Sequence, residues 1–278
     1  IIYLIKSSLI TFLLFSIYQI FLERIKTFKF NRFFLLFIIL VSVVFPAFDT
    51  NISIQQEDSS FIFNNVKVIE QLESIPILNV PNIKEASNSN SILYLVYGLY
   101  VAICLILSLR LIRNIYLLLF TKYQLGNSTN EMSVLIHSKN KGIYSFFNRL
   151  YIPQSKGRMQ LDDTIIRHEF VHYKQLHSID NILAEVFIIF FWFNPISWFL
   201  AKTIKRNHEY LSDQAVIKEI DSQSYIQVII SNLINQNTPQ MSSNFSYLSI
   251  KKRIKMIQKH SKNPISQIAQ ITFVIALS

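Results

Sequence analysis

The chain has 278 residues, a formal net charge of +10 and one cysteine, Cys104. Its apolar share of 51% and mean hydropathy of +0.31 argue against an ordinary water-soluble fold, and because the apolar residues gather in runs they point to membrane segments. A lone cysteine excludes an internal disulfide framework, and without a basic stripe the excess of Lys and Arg reads first as a topology signal, not as a nucleic-acid surface.

Residues 1–22 are apolar apart from Lys6 and a few hydroxyl or amide side chains. The stretch "FFLLFIILVSVVFPAF" (33–48) forms a second run, and "SILYLVYGLYVAICLILSL" (91–109), extendable to Phe120, a third. Each approaches the ~20 residues that cross ~30 Å of hydrocarbon. The linker between the first two runs carries Arg24, Lys26, Lys29 and Arg32. Residues 49–90 carry Asp49, Glu57, Asp58, Glu70, Glu73 and Glu85 against Lys67 and Lys84. Arg110, Arg113 and Lys122 follow the third run. The positive-inside rule then puts the N-terminus and the acidic stretch outside, with the basic linker and everything after Lys122 on the cytoplasmic side.

Residues 123–160 are mixed and polar. "SVLIHS" (133–138) and "RLYIP" (149–153) read as short strands with "KNKG" as the turn between them. Asp162 or Asp163 is placed to N-cap a helix running through His168 and His172. The apolar stretch 181–201, "NILAEVFIIFFWFNPISWFLA", resembles a fourth span, but both flanks are basic and its centre is Asn194-Pro195, a good cap and first-turn pair for a new helix. The expectation is a hairpin whose arms, 181–193 and 195–209, each rise about 20 Å and return Glu209 to the level of residue 181. "FSYLSIKKRIKMIQKH" (245–260) is basic and amphipathic, suited to an anionic membrane surface or to a solvated helix face. Residues 265–278 read as the start of a final span. The chain starts at Ile1 and stops within an apolar run, so it is expected to be part of a longer protein.

The chemistry centres on "HEFVH" (168–172). Residues four apart share a helix face, so His168 and His172 can turn two imidazoles to one ion with Glu169 beside them. That is the zincin arrangement, in which a Glu takes the proton of the attacking water. A catalytic zinc keeps three protein ligands. "NHEYLSDQAV" supplies Glu209 as a third, with Asp213 one turn on as acceptor for a ligand histidine N–H. The alternative is a polar helix face that pairs Glu209 and Asp213 with Lys205 and Arg206, and taken alone that reading is the stronger. Glu185, isolated in an apolar arm, is expected to be hydrogen-bonded within the bundle or to lie near the site.

"HEFVHYKQLHSIDN", "FWFNP" and "NHEYLSDQAV", in that order and spacing, resemble the membrane-embedded zinc peptidases of the BlaR/MecR antibiotic-sensor family over roughly residues 90–220. The resemblance implies a gluzincin site with Zn2+ held by His168, His172 and Glu209, Glu169 as catalytic base and Asp213 in support. It also implies that "SFFNRLYIP" is an edge strand along which a substrate peptide is added. Better-known sensors carry an acid five residues after the second His. Here that position is His177, and the first acid is Asp180. His177 and His208 are expected beside the ligands and not among them. His208, His177, Tyr173 and Tyr210 are the candidate oxyanion donors.

The fold expected is mainly α: a multi-span helical membrane protein with an embedded cytoplasmic zincin-like domain. Two spans occupy 1–48, an acidic extracytoplasmic loop 49–90, a third span 91–122, the peptidase domain 123–262 and the start of a last span 263–278. The function expected is a signal-responsive zinc metalloendopeptidase of the bacterial inner membrane that cuts a cytoplasmic regulator or itself. A quality-control protease and a non-catalytic receptor with a structural zinc are the alternatives. Expected partners are a peptide or protein substrate such as a transcriptional repressor, the lipid bilayer and a second copy of the chain, with no direct contact to nucleic acid.

Overall fold

The computed structural model describes residues 2–48, 89–120, 124–125, 133–137, 143–153, 163–234, 240–259 and 272. The acidic stretch 49–88, the "KNKG" segment, Asp162 and the run after residue 264, Thr272 apart, lie outside the described residues. The chain divides into two compact units, one of residues 1–47 with 104–278 and one of residues 48–103. Of the second, the described part is Phe48 and the first half of a long helix.

Among the described residues three helices are long and apolar enough to cross a membrane, at the three places expected. Helix α1 (Ile2–Ile17) runs on through a π turn at Tyr18–Leu22, α2 (Phe28–Val44) through a 3-10 turn at Phe45–Ala47, and α3 spans Ser89–Phe120. The second run gains its length by taking in Phe28–Arg32. With lipid on the outside there is no hydrophobic force to pair spans, so small and hydroxyl side chains do it. Ser7 donates to the Ser42 carbonyl at 2.5 Å and Thr11 to Ser42 Oγ at 2.9 Å, all fully buried between α1 and α2.

The 181–201 stretch folds back as expected. Helix α5 (His177–Phe190) ends at an aromatic turn and α6 (Pro195–Val216) begins with Asn194 as cap, its side chain accepting from Ile196 N at 2.9 Å. Trp198 Nε1 donates to the Trp192 carbonyl and closes the tip. A 14-residue α5 rises only about 21 Å, too short to span. Glu185 pairs across the hairpin with Lys205 at 2.9 Å. The inner faces of α5 and α6 pack on α1 and α2 through Phe187, Ile188, Leu200 and Ile204. Phe190, Phe193, Trp198 and Phe199 remain exposed.

A four-stranded sheet of order β1-β2-β4-β3 joins β1 (Gln124–Leu125), β2 (Ser133–His137), β3 (Tyr144–Phe146) and β4 (Arg149–Pro153). β2 and β4 pair in parallel, Ser133 opposite Arg149, so the two are not the arms of one hairpin. The chain reverses instead at Phe147-Asn148, between the antiparallel β3 and β4. Phe147 takes φ 48° and its N–H is held by Ser178 Oγ at 2.9 Å. Packing, not a strong local turn signal, fixes that reversal. Arg149 and Tyr151 donate to the carbonyls of Leu119 and Leu118 and tie the sheet to the end of α3.

Helix α4 (Asp163–Lys174) lies against β3 and α6. Helices α7 (Ser222–Ile234) and α8 (Gln240–Gln258) close the domain through a small core of Val216, Tyr225, Ile226, Ile229 and Ile257. The basic segment expected at a membrane or solvent surface is α8. Its Lys251, Lys252 and Lys255 are exposed, but Ile257 is buried and Arg253 points inward.

Candidate active site

Helix α4 sets His168 and His172 one turn apart, and α6, returning from the hairpin, brings Glu209 to them. The two Nε2 atoms are 3.2 Å apart, and Glu209 Oε2 and Oε1 each lie 3.5 Å from one of them. Among the described residues this is the group of three able to share an ion, with one donor atom from each within 4.8 Å of the others. Ligands about 2.0–2.1 Å from a tetrahedral zinc stand roughly 3.3 Å from one another. The 3.2 Å between the imidazole nitrogens, and the 3.5 Å from each of them to a separate oxygen of Glu209, are near that spacing, and two imidazoles with one carboxylate are a zinc donor set.

The far side of each imidazole is engaged. Turning Nε2 of His168 toward the cluster leaves Nδ1 to donate to the Tyr225 hydroxyl at 2.8 Å, and Tyr225 donates on to Asp213 Oδ1 at 2.7 Å. Asp213 itself stands 3.5 Å from Nδ1, so the expected direct contact is relayed through a phenol. Arg253 from α8 then closes a ring, with Nε and Nη2 on Asp213 at 2.9 and 2.5 Å and Nη1 on Glu209 at 2.8 Å. His172 Nδ1 meets His177 Nδ1 at 2.8 Å, and His177 Nε2 meets Gln175 Oε1 at 3.2 Å. His177 stacks on His208 with centroids 4.0 Å apart, and His208 Nε2 lies 2.8 Å from Asp180. Asp180 is gripped by Arg32 of α2.

Burial pushes His172 down to about 3 and His177 to about 2, so both are neutral at physiological pH. Burial also opposes a charge on His168, but the hydrogen bond and charge of Glu209 outweigh it and raise that pKa. Burial would lift Glu209 too. The Arg253 guanidinium and His168 overcome it and hold the carboxylate ionised. Glu169 is raised by burial, against the opposing pull of His168 and of Ser145, whose hydroxyl donates to Glu169 Oε2 at 2.7 Å.

These side chains border a cleft of about 340 Å³ that runs from the edge strand β3, at Tyr144 and Ser145, past Glu169 to Tyr225 and Arg253. The four candidate oxyanion donors do not border it. His177 and His208 are buried behind His172, Tyr173 packs under the sheet and Tyr210 packs on Phe28. The polar groups that do face it include Tyr144, Asn181 and Arg253.

Residues 4–257 match the family described as BlaR1 peptidase M56. The chain belongs to the BlaR1 peptidase M56 family. Over 115 residues it is 35% identical to the regulatory protein BlaR1 of Bacillus licheniformis, a match that covers 38% of this chain and 19% of that protein. Membership of the M56 family together with three span-length apolar helices among the described residues makes this a membrane-associated member of a peptidase family. Of its site, sequence reasoning missed Tyr225, Arg253 and Ser145. Ser145 was within reach, since it opens "SFFNRLYIP", although that segment is not one edge strand but the end of β3, a turn and the inner strand β4. Tyr225 and Arg253 lie on later helices, where an amphipathic pattern gives no hint that one polar member turns inward.

Proposed function

We propose that this M56 chain is a zinc endopeptidase whose ion is held by His168, His172 and Glu209. The observation that carries the reading is the approach of the two Glu209 oxygens, each 3.5 Å from one of the Nε2 atoms of His168 and His172, themselves 3.2 Å apart, with Glu169 in the same cleft. When bound, zinc polarises a scissile carbonyl and acidifies the attacking water. Glu169, with its pKa raised by burial, accepts that proton and returns it to the leaving amine. Ser145 fixes the Glu169 carboxylate, and β3, the outer strand of the sheet among the described residues, aligns the substrate as an added strand. Asp213, through Tyr225, orients His168. His177 orients His172, and His208 and Asp180 stand behind His177.

The basic linker after α1 marks the cytoplasmic side, and the catalytic domain rests on that linker. Arg206 pairs with Glu23 at 2.9 Å, and Lys259 donates to the Arg24 carbonyl. This supports a site at the inner face of a bacterial cytoplasmic membrane, with the N-terminus outside. The substrates proposed are a cytoplasmic regulator, such as a repressor, or the protein itself, under control of a signal received across the membrane. The test compares wild type with Glu169→Gln in native membranes for bound zinc and for cleavage of co-expressed repressors and of the chain. Retained zinc with lost cleavage is the expected result. Undiminished cleavage by Glu169→Gln would remove Glu169 from the mechanism, and absence of zinc from the wild type would remove the ligand assignment.

A further inference from the structure

One line of contacts leaves the candidate metal centre and ends on a membrane span. Arg32 sits on α2, within a candidate span, yet its guanidinium reaches into the catalytic domain. Nε and Nη2 meet the two oxygens of Asp180 at 2.6 and 3.1 Å, and Nη2 also donates to the Gln175 carbonyl at 2.7 Å. Asp180 is 5% exposed, and among the described residues its charge is met by this fork and by His208 Nε2 at 2.8 Å. His208, 2% exposed, lies flat on His177, with planes 9° apart. His177, 1% exposed, meets His172 Nδ1 at 2.8 Å. These contacts couple the rings in series, and the fork at Arg32 holds the carboxylate at the outer end of the series.

The same fork clamps the turn between α4 and α5. Gln175 gives its carbonyl to Arg32 and its side chain to His177. Next to it Leu176 is held at φ 55°, a left-handed conformation that a branched side chain adopts only when its surroundings demand it. The surroundings here are Arg32 on one side and the hydrogen bond from Ile179 N to the Leu176 carbonyl on the other.

We infer that Arg32 of the second span is a positioning residue for the metal centre: through Asp180, His208 and His177 it sets the ring of His172, so that the placement of α2 against the domain tunes how well the ion is held. The inference rests on the reading of His168, His172 and Glu209 as ligands. It assigns a membrane-embedded helix a part in metal affinity without any contact to the ion. A bidentate guanidinium suits this better than an ammonium, because the planar fork fixes direction as well as charge.

The experiment uses the full chain in lipid nanodiscs, as wild type, Arg32→Met and Arg32→Lys. Three quantities are read: zinc affinity by chelator competition, the visible absorption of the cobalt-substituted protein, and the thermal midpoint. Loss of a direct outer partner of a metal ligand costs about 10–100-fold in affinity; Arg32 acts through three intervening residues, so Arg32→Met should weaken zinc binding by about tenfold, the low end of that range, and alter the cobalt spectrum. Arg32→Lys should recover part of both. A role confined to holding the fold together would lower the thermal midpoint and leave affinity and spectrum of the folded protein unchanged, and that result overturns the inference. Should Arg32→Met fail to fold, Asp180→Asn removes the charge that the fork grips while keeping the side chain's shape, and zinc affinity within twofold of wild type in that variant overturns it equally. Wild type that binds no zinc would overturn the ligand reading, and this inference with it. Wild type that binds zinc beside an indifferent Arg32→Met overturns the inference alone.

Discussion

The hydroxyl of Tyr225 stands between His168 Nδ1 and Asp213, 2.8 Å from the first and 2.7 Å from the second, on a side chain only 2% exposed. A phenol can accept from one partner and donate to the other, so it passes the orienting influence of a carboxylate to an imidazole that the carboxylate does not reach. Tyr225→Phe keeps the ring and removes both bonds. Zinc affinity should fall about tenfold with the fold intact, measured by chelator competition beside circular dichroism.

Arg253 answers two carboxylates at once, and Asp213 is 1% exposed. Removing one partner of a buried pair strands the other charge and costs about 3–5 kcal/mol. Arg253→Met should therefore lower the thermal midpoint sharply. Adding Asp213→Asn to it, which neutralises the stranded charge, should recover part of the loss. A double variant no more stable than the single one would show that Arg253 acts by packing alone.

In the metal-free protein the raised pKa of His168 means that its protonated form pairs with Glu209. That stabilisation is complete below the ordinary histidine value of about 6.5 and fades as pH rises through the raised folded value. Metal binding has the opposite sign, because the ion must displace this proton. His172, held near 3, adds no competing proton above about pH 4. The rise in thermal midpoint on adding zinc should be larger at pH 8 than at pH 6, and apparent affinity should follow one proton rather than two across that interval.

The hairpin depends on its cap. Asn194 is 6% exposed and its side chain accepts from Ile196 N. Asn194→Ala should cost about 1 kcal/mol, read as a lower thermal midpoint with zinc affinity per folded molecule unchanged.

Much of this was legible before any coordinates. Spans announce themselves by length, the two histidines by a four-residue interval, and the fold-back at 194–195 by a cap followed by proline with basic residues on both sides. These are local signals. The pairing of β2 with β4 was not legible, because parallel strands are matched by whatever crosses between them and not by the residues that join them. Tyr225 and Arg253 escaped for a related reason. Each is an ordinary member of an amphipathic helix, and only the approach of α7 and α8 to α6 turns one polar side chain into a partner of the site.

Because α5 and α6 leave and return on the same side, the distance between His172 and Glu209 depends on the difference between the two arms and not on their total. A helical turn added to one arm alone would displace Glu209 by about 5.4 Å along the axis, well outside coordinating reach. A turn added to each would cancel at the base and only lengthen the aromatic tip. Chains built on this plan are free to vary in how far the loop extends, while the parity of its two sides is fixed by the chemistry at its foot.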